Sequence, residues 1–256
     1  MHVVTTAVNI PGPVAAARLS ELGFVVTKVE PPAGDPLALA APEWYRQLVD
    51  GQEVVRLDLK EQSLDRLLAG ADLLLTAQRP AALARLGLGW DELHARHPRL
   101  CHVAIVGEGE RAGHDLTYLA ERGLLDPPRL PRTVAADLLG AERAVSAALA
   151  LLLAGKGAYA EVSLAEAADA LAEPLRAGLT APGGVLGGGF PGYGLYEASD
   201  GWVAVAALEP RFRQRLEAVA ELTQPALQRA FRARTAAEWE AWALEHDVPL
   251  AAVGSL

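Results

Sequence analysis

The chain has 256 residues, 51% hydrophobic and 21% charged, which suits a globular protein with one or two domains and excludes a disordered one. Its net charge of −9 argues against a nucleic-acid partner, which needs a basic field, and its single cysteine excludes an intrachain disulfide. The amino terminus has no basic segment before its apolar part, and no apolar run approaches the ~20 residues that span a bilayer. We therefore expect a cytoplasmic protein with no membrane partner.

The first part of the chain alternates predicted strands and helices. A β-branched run at 3–8 predicts a strand, and residues 11–23 predict a helix with proline near its start and glycine at its end. Residues 24–30 predict the next strand, and such a strand–helix–strand crossover favours parallel pairing. Further strands are predicted at 53–59, 71–77, 100–106 and 158–164, and further helices at 62–71, 90–97 and 138–157. This alternation predicts the α/β class.

The character of the sequence changes near residue 182. Residues 182–192 are rich in glycine and proline, which predicts a mobile loop or linker. A hairpin is predicted at 193–207, followed by helices at 210–222 and 235–246; the second helix opens with a capping box, Thr235 and Glu238. We therefore predict a large domain at 1–181 and a small α/β domain at 182–256.

Common cofactor and catalytic motifs do not occur in the sequence. The first strand–helix turn is not a GxGxxG fingerprint, and there is no Walker A sequence, metal-spaced His/Cys cluster or GxSxG elbow. Titratable groups remain at loop–helix junctions: His114, Asp115, Asp137 and Glu197. His114 follows the strand predicted at 100–106 by a short loop, which places it at the carboxyl rim of a parallel sheet, where ligands bind.

Many segments resemble, in the same order, the family III CoA-transferase and α-methylacyl-CoA racemase superfamily. They include "VVTKVEPPAGDPL", "VVRLDLK", "AQRPAALARLGLGWDELHARHPRL", "AGHDLTYLA", "VAADLLGAERAV", "GKGAYAEVSLAEA" and "HDVPLAAV", and "AGHD" is the racemase form of its motif. The resemblance implies a Rossmann-like large domain, a small domain and a homodimer of interlocked subunits. It implies a CoA thioester as substrate with no prosthetic group. It also leads us to expect that the family's C-terminal return segment is missing from this sequence.

The resemblance assigns roles to individual positions. Asp137 matches the carboxylate that transferases acylate and that racemases use as an acid or base. His114 matches the racemases' second base, and Glu197 the carboxylate that orients it. The positions implied to hold CoA are Leu57, Lys60, Ala77, Gln78, Arg79 and Arg85.

These residue types suit inversion of the α-carbon in a 2-methylacyl-CoA thioester, because one group must remove a proton and another return one to the opposite face. Histidine and a carboxyl group of raised pKa can do both, with backbone N–H groups at helix starts as donors to the enolate. The alternatives are a CoA-transferase acting through an Asp137 thioester, and a shortened CoA-binding homologue without catalysis. By themselves, Asp137 and His114 could be helix caps, Glu197 a solvated strand residue and Arg85 a surface arginine; Asp115 is better explained as a cap or first-turn acid.

Overall fold

The computed structural model describes residues 1–109 and 111–254. The chain forms two compact units, Met1–Ala172 and a second that begins at Glu173. The division falls inside the helix Leu164–Arg176, ahead of the glycine-rich segment. The domain limits 1–181 and 182–256 remain a prediction.

The first unit is built on a six-stranded sheet in which every neighbouring pair runs parallel. Its order, β3-β2-β1-β4-β5-β6, is that of a Rossmann fold and confirms the predicted parallel α/β architecture. The strands are β1 (His2–Thr5), β2 (Val25–Glu30), β3 (Glu53–Arg56), β4 (Leu73–Thr76), β5 (Cys101–Val106) and β6 (Tyr159–Ser163).

Nine helices connect or flank these strands within the described residues, and the last of them extends past Ala172 into the second unit. They are α1 (Pro11–Glu21), α2 (Pro36–Ala40), α3 (Pro42–Leu48), α4 (Asp65–Leu68), α5 (Pro80–Arg85), α6 (Trp90–Arg96), α7 (Asp115–Glu121), α8 (Ala135–Leu153) and α9 (Leu164–Arg176). The helix predicted at 62–71 is the single turn α4, because Ser63 caps the Asp65 N–H and Gly70 follows. The helix predicted from 138 begins at Ala135.

Alternating side chains fill both faces of the central strands. On one face of the sheet, Val3, Leu73 and Leu75 pack with residues of α1 and α8. On the opposite face, Val4 and Leu74 belong to a second cluster of buried apolar side chains. Because successive side chains of a strand point to opposite faces, strands covered on both sides read as continuous apolar runs. Burial on both faces leaves the carboxyl ends of the strands as the place where polar side chains can gather.

The second unit contains a three-stranded antiparallel sheet, β7 (Tyr193–Glu197), β8 (Trp202–Ala206) and β9 (Leu250–Ala252). Its helices are α10 (Pro210–Glu217), α11 (Gln224–Phe231) and α12 (Ala236–His246). The predicted hairpin and the Thr235–Glu238 capping box are confirmed. No helix in the described part of the chain is long and apolar enough to cross a membrane.

The glycine-rich segment is folded into a compact hydrogen-bonded turn, and its mobility stays a prediction. Gly183 donates its N–H to the Gly187 carbonyl, and Gly189 donates to the Gly184 carbonyl. A Cβ atom at Gly184, Gly187 or Gly189 would lie 1.9–2.1 Å from a backbone oxygen. These glycines therefore permit the close approach of backbone to backbone, and the turn needs them for packing.

A buried ion pair supports the turn that follows β1. Lys28 Nζ lies 2.8 Å from Asp35 Oδ2, both side chains are fully buried, and Lys28 also donates to the Ala7 carbonyl at 3.0 Å. Asp35 Oδ1 accepts the Asn9 N–H at 3.0 Å and the Leu37 N–H at 2.9 Å. The two charges are thus hydrogen-bonded on several sides, which a buried ion pair requires.

We expect Asp35→Ala to lower the free energy of unfolding by about 3–5 kcal/mol, because it leaves the Lys28 ammonium buried without its counterion. The matched control is Glu21→Ala, which removes an exposed partner of Arg18 and should cost less than about 1 kcal/mol. Urea denaturation at neutral pH measures both. Equal losses in the two variants would contradict a buried, paired Lys28.

Candidate active site

A crevice opens where the order of the sheet changes direction. From β1 the chain continues to β2 on one side, and from β4 it continues to β5 on the other. Ligands bind outside the carboxyl ends of strands at such a point. Val8 and Asn9 follow β1 here, and Ala77 and Arg79 follow β4.

A cavity of about 220 Å³ lies at this crevice, and we call it the polar cavity. Its walls come from the loops after β1, β4 and β5 and from the first turn of α8. Its lining residues include Asn9, Ala77, Arg79, Arg111, His114, Tyr118 and Asp137. The structure therefore brings the two predicted catalytic residues of the large domain, His114 and Asp137, to one cavity.

Asp137 lies in the first turn of α8, and its side chain is only 9% exposed. Burial, and after it the negative charge of Asp115, raise the pKa of the Asp137 carboxyl to about 6. Burial raises the pKa of a carboxyl because the charged form loses its hydration. A carboxyl group with this pKa can hold or release a proton near neutral pH.

The side chain of Asp115 caps the start of α8, a role that Asp137 could have filled. Asp115 is the first residue of α7, and its Oδ1 accepts the N–H of Ala136 at 2.7 Å and of Asp137 at 3.1 Å. The interpretation of Asp115 as a cap or first-turn acid is thus confirmed, but the helix it caps is α8. The N-cap alternative for Asp137 is wrong, because α8 begins at Ala135 with Val134 as its N-cap residue. These two N–H groups are also already used, so they do not serve an enolate.

His114 is the N-cap residue of α7 and is exposed at the cavity. Its backbone N–H donates to Thr117 Oγ1 at 3.0 Å, and the Thr117 hydroxyl donates back to the His114 carbonyl at 2.8 Å. The backbone of His114 is thus held at the helix start. His114 lines the same cavity as Asp137.

Tyr118 is a cavity residue that the sequence reasoning missed. Its side chain is buried, and its hydroxyl lies 2.4 Å from where a Cβ at Gly107 would be and 2.5 Å from that of Gly113. Two glycines therefore make room for the phenol. Burial, and after it the charge of Asp137, raise the pKa of the Tyr118 hydroxyl. The spacing of four residues from His114 could have revealed it, because such residues share a helix face.

The predicted CoA-binding positions divide between two spaces. Ala77 and Arg79 line the polar cavity. Leu57, Lys60 and Gln78 line a separate cleft of about 210 Å³ together with Pro31 and Pro32.

The amide of Gln78 is held in that cleft by Thr6, whose hydroxyl donates to Oε1 at 3.0 Å and whose carbonyl accepts from Nε2 at 2.9 Å. Arg85 is exposed at the end of α5 and lines neither space. Among the predicted CoA-binding residues that carry a positive charge, Lys60 and Arg79 therefore line these spaces and could contact phosphate groups, whereas Arg85 does not line them. Arg111 is already paired with Glu108 and Glu121.

Glu197 belongs to the second unit, at the end of β7. Its Oε2 accepts a hydrogen bond from Arg232 Nε at 3.1 Å and another from Arg232 Nη2. The role of Glu197 in orienting His114 stays a prediction. No group of three or more metal-ligating side chains occurs within residues 1–109 and 111–254.

Fold and cavity together define a Rossmann-type α/β protein with a histidine and a buried carboxyl group at the switch point of its sheet. The chain belongs to CoA-transferase family III, because the model of that family matches residues 1–223. This finding confirms the resemblance seen in the sequence.

Among curated proteins, the chain is 30% identical over 244 residues to mouse alpha-methylacyl-CoA racemase, covering 83% of this chain and 61% of that one. It is 33% identical over 144 residues to cinnamoyl-CoA:phenyllactate CoA-transferase of Clostridium sporogenes, covering 48% and 35%. The chain thus spans less than two thirds of the length of these relatives. A solved structure of Rv3272 from Mycobacterium tuberculosis, called a hypothetical protein, matches with a TM-score of 0.84 at 25% identity, covering 100% of this chain and 83% of that one.

Proposed function

We propose that the protein inverts the α-carbon of 2-methylacyl-CoA thioesters by removing a proton from one face and returning one to the other. The observation that carries this proposal is the shared cavity of His114 and Asp137, two proton-transfer groups that come from different helices. The similarity to mouse alpha-methylacyl-CoA racemase supports it. The substrate supplies the CoA, so no prosthetic group takes part in the scheme.

In this scheme His114 and Asp137 exchange roles with the direction of the reaction. One takes the α-proton as a base while the other donates a proton to the opposite face, and the enzyme ends with the proton on the first group. The pKa of about 6 for Asp137 suits both roles. Tyr118 lines the same cavity, and its hydroxyl is our candidate donor to the enolate oxygen.

CoA transfer between carboxylic acids is the second candidate, and the similarity to cinnamoyl-CoA:phenyllactate CoA-transferase favours it. The Asp137 carboxylate would attack the thioester carbonyl and release the CoA thiolate, leaving a mixed anhydride on Asp137. The thiolate would then attack the aspartyl carbonyl and release the donor acid, leaving CoA on Asp137 as a thioester. This route needs Asp137 but no base at the α-carbon. A CoA-binding protein without catalysis is the third possibility to test.

Incubation with a 2-methylacyl-CoA in D₂O separates these candidates. A racemase incorporates deuterium at the α-carbon and interconverts the enantiomers, which mass spectrometry and chiral chromatography detect. A transferase moves CoA to an added carboxylate, and hydroxylamine traps the activated Asp137. CoA transfer without α-proton exchange would overturn our first proposal. If the protein binds CoA but catalyses neither reaction, the third candidate, a CoA-binding protein without catalysis, is favoured.

We also propose that the protein acts as a homodimer, as the family resemblance implies, with Glu197 contributed to the site by the partner subunit. The imidazole of His114 would then gain its orienting carboxylate from outside its own chain. Sedimentation equilibrium at micromolar concentration measures the assembly. A monomer that is active under the same conditions would contradict this proposal.

We expect CoA to stabilise the protein, by about 2–3 kcal/mol at a hundredfold excess over the dissociation constant, because a ligand that binds only the native state favours it. Lys60→Ala and Arg79→Ala should weaken the stabilisation, since both side chains line the candidate spaces. Arg99→Ala, at an exposed position outside these spaces, is the control.

Thermal unfolding with and without CoA measures the effect. If Arg85→Ala reduces the stabilisation by CoA as much as Arg79→Ala does, Arg85 contributes to CoA binding even though it lies outside both spaces. No shift in the wild type would contradict CoA binding itself.

A further inference from the structure

Four charged side chains from the β5–α7 loop and the end of α7 form a closed ring of ion pairs. Arg122 Nη1 lies 2.8 Å from Glu121 Oε2, and Arg122 Nη2 lies 3.3 Å from Glu108 Oε1. Arg111 joins the same two glutamates, with its Nη1 3.3 Å from Glu108 Oε2 and its Nη2 paired with Glu121 Oε1. Each arginine thus contacts both glutamates, and each carboxylate uses both oxygens. We call these four side chains the ion-pair ring.

Arg122 joins the ion-pair ring to a third element, helix α9. Its Nε lies 3.3 Å from Asp169 Oδ1 and its Nη2 3.1 Å from Asp169 Oδ2, which makes a bidentate contact. The side chain of Arg122 is 10% exposed, whereas that of Arg111 is 63% exposed. A bidentate arginine that is shielded from water holds carboxylates in a defined geometry and is screened by salt less than an exposed pair. The attachment of the ring to α9 therefore depends on Arg122.

The ion-pair ring restrains the loop that leads from β5 to His114. Three glycines within residues 107–113 give this loop wide backbone freedom, so it needs contacts to hold one shape. At its start the Ser163 hydroxyl donates to the Gly107 carbonyl at 2.7 Å. In its middle the Arg111 N–H donates to the Glu108 carbonyl at 3.1 Å, and both side chains belong to the ring. Because the loop lines the polar cavity and ends at His114, the ring fixes both.

Asp137 is held in a different way. It lies in the first turn of α8, whose following turns pack into the core through Ala141 and Ala144. The ring side chains belong to the loop and to the end of α7, not to α8. Resting on the proposed function, we propose that Arg122 is a positioning residue for His114: it fastens the loop and α7 to α9 and so fixes His114 relative to the substrate α-carbon. Without Arg122 the His114 base is displaced, whereas Asp137 keeps its place.

Arg122→Ala tests this assignment through the two enantiomers of one 2-methylacyl-CoA. In the proposed reaction His114 and Asp137 serve opposite faces, so each exchanges the α-proton of one enantiomer in D₂O. The enantiomer that still exchanges in His114→Ala is the one that Asp137 serves. We expect Arg122→Ala to lower the initial exchange rate of the other enantiomer by about 10- to 100-fold, because a displacement of about 1 Å costs rates of this order. Exchange of the enantiomer that Asp137 serves should stay at the wild-type rate.

Two further variants accompany this measurement. Arg46→Ala is the matched control, because it removes an arginine from a single exposed ion pair with Glu43 on α3. It should exchange both enantiomers like the wild type. Glu108→Gln is a milder change, since it removes the charge on the loop and leaves the other contacts of Arg122 in place. It should show a smaller loss for the same enantiomer as Arg122→Ala, and it serves if Arg122→Ala does not fold.

Backbone amide hydrogen exchange without substrate, followed by mass spectrometry, tests the restraint separately from catalysis. We expect Arg122→Ala to speed amide exchange in residues 107–109 and 111–114 by at least about tenfold and to leave the start of α8 unchanged. Unchanged amide exchange in the loop would overturn the inference. An equal loss of α-proton exchange from both enantiomers would also overturn it, because a general structural role predicts that result. If the wild type exchanges no α-proton, the proposed function fails, and faster amide exchange would still assign Arg122 to the restraint of the loop.

Discussion

Asp137→Asn is expected to abolish racemisation of 2-methylacyl-CoA thioesters, with a loss of about 10²–10⁴-fold in rate. The amide has nearly the shape of the carboxyl group but neither takes nor gives a proton at the α-carbon. Exchange from one enantiomer should persist, because His114 still addresses its own face. Chiral chromatography of the products measures the first result and mass spectrometry in D₂O the second. Racemisation at a wild-type rate would remove Asp137 from the mechanism.

The same variant should be more stable than the wild type at neutral pH. The pKa of Asp137 is about 6 in the folded protein, above the value of about 3.9 expected in the unfolded chain. The folded state therefore binds more protons between these values, and wild-type stability falls as the pH rises through them. Asp137→Asn lacks this loss of stability. Its free energy of unfolding should therefore exceed that of the wild type by at most about 3 kcal/mol above pH 6, and should equal it below about pH 4. Urea denaturation across this range separates lost chemistry from lost folding.

Asp115→Asn isolates the electrostatic part of the Asp137 environment. The variant keeps Oδ1 as an acceptor for the N–H groups of Ala136 and Asp137 and removes only the negative charge. The pKa of Asp137 should then fall, because Asp115 is one cause of its elevation. The acid limb of the pH profile of kcat/KM, where Asp137 acts as a base, should move to lower pH. An unmoved acid limb would show that another group controls it.

His114→Ala is expected to abolish racemisation by a similar factor, about 10²–10⁴-fold, while leaving the fold intact. His114 is exposed, and the two hydrogen bonds between its backbone and the Thr117 hydroxyl do not involve the imidazole, so an alanine keeps them. The carboxyl group of Asp137 should still exchange the α-proton of one enantiomer. This enantiomer should be the opposite of the one whose α-proton Asp137→Asn still exchanges. Opposite enantiomer preferences of the two variants would be the signature of two bases on two faces.

The outcome of His114→Ala also decides between the two candidate reactions. A transferase acting through Asp137 should keep substantial activity in this variant and lose it in Asp137→Asn. His94→Ala, at an exposed histidine of α6, controls for the general effect of removing an imidazole. If both histidine variants behave like the wild type in exchange, His114 is a helix-cap residue and no more.

Local patterns in the sequence were sufficient for the architecture of the first unit. Alternating apolar runs and helical segments predict parallel strands, and His114, which follows the strand predicted at 100–106, could be placed at the carboxyl rim. The capping box of Thr235 and Glu238 was also readable, because its partners are three residues apart. These features depend on near neighbours in the chain, so the sequence displays them directly. The family resemblance rests on the same kind of short motif.

Tertiary structure decided the properties that depend on distant residues. The side chain of Asp115, in α7, accepts hydrogen bonds from the N–H groups of Ala136 and Asp137, which lie 21 and 22 positions further along the chain. Asp115 therefore caps α8, and Asp137 does not. Burial of Asp137, which sets its pKa, comes from packing that no local pattern encodes. Tyr118 enters the cavity because two glycines leave room for its ring, and Gly184 and its neighbours form a compact turn because their backbones meet. Hydration, charge and close approach are set by which groups surround an atom in space, and only the folded chain determines that.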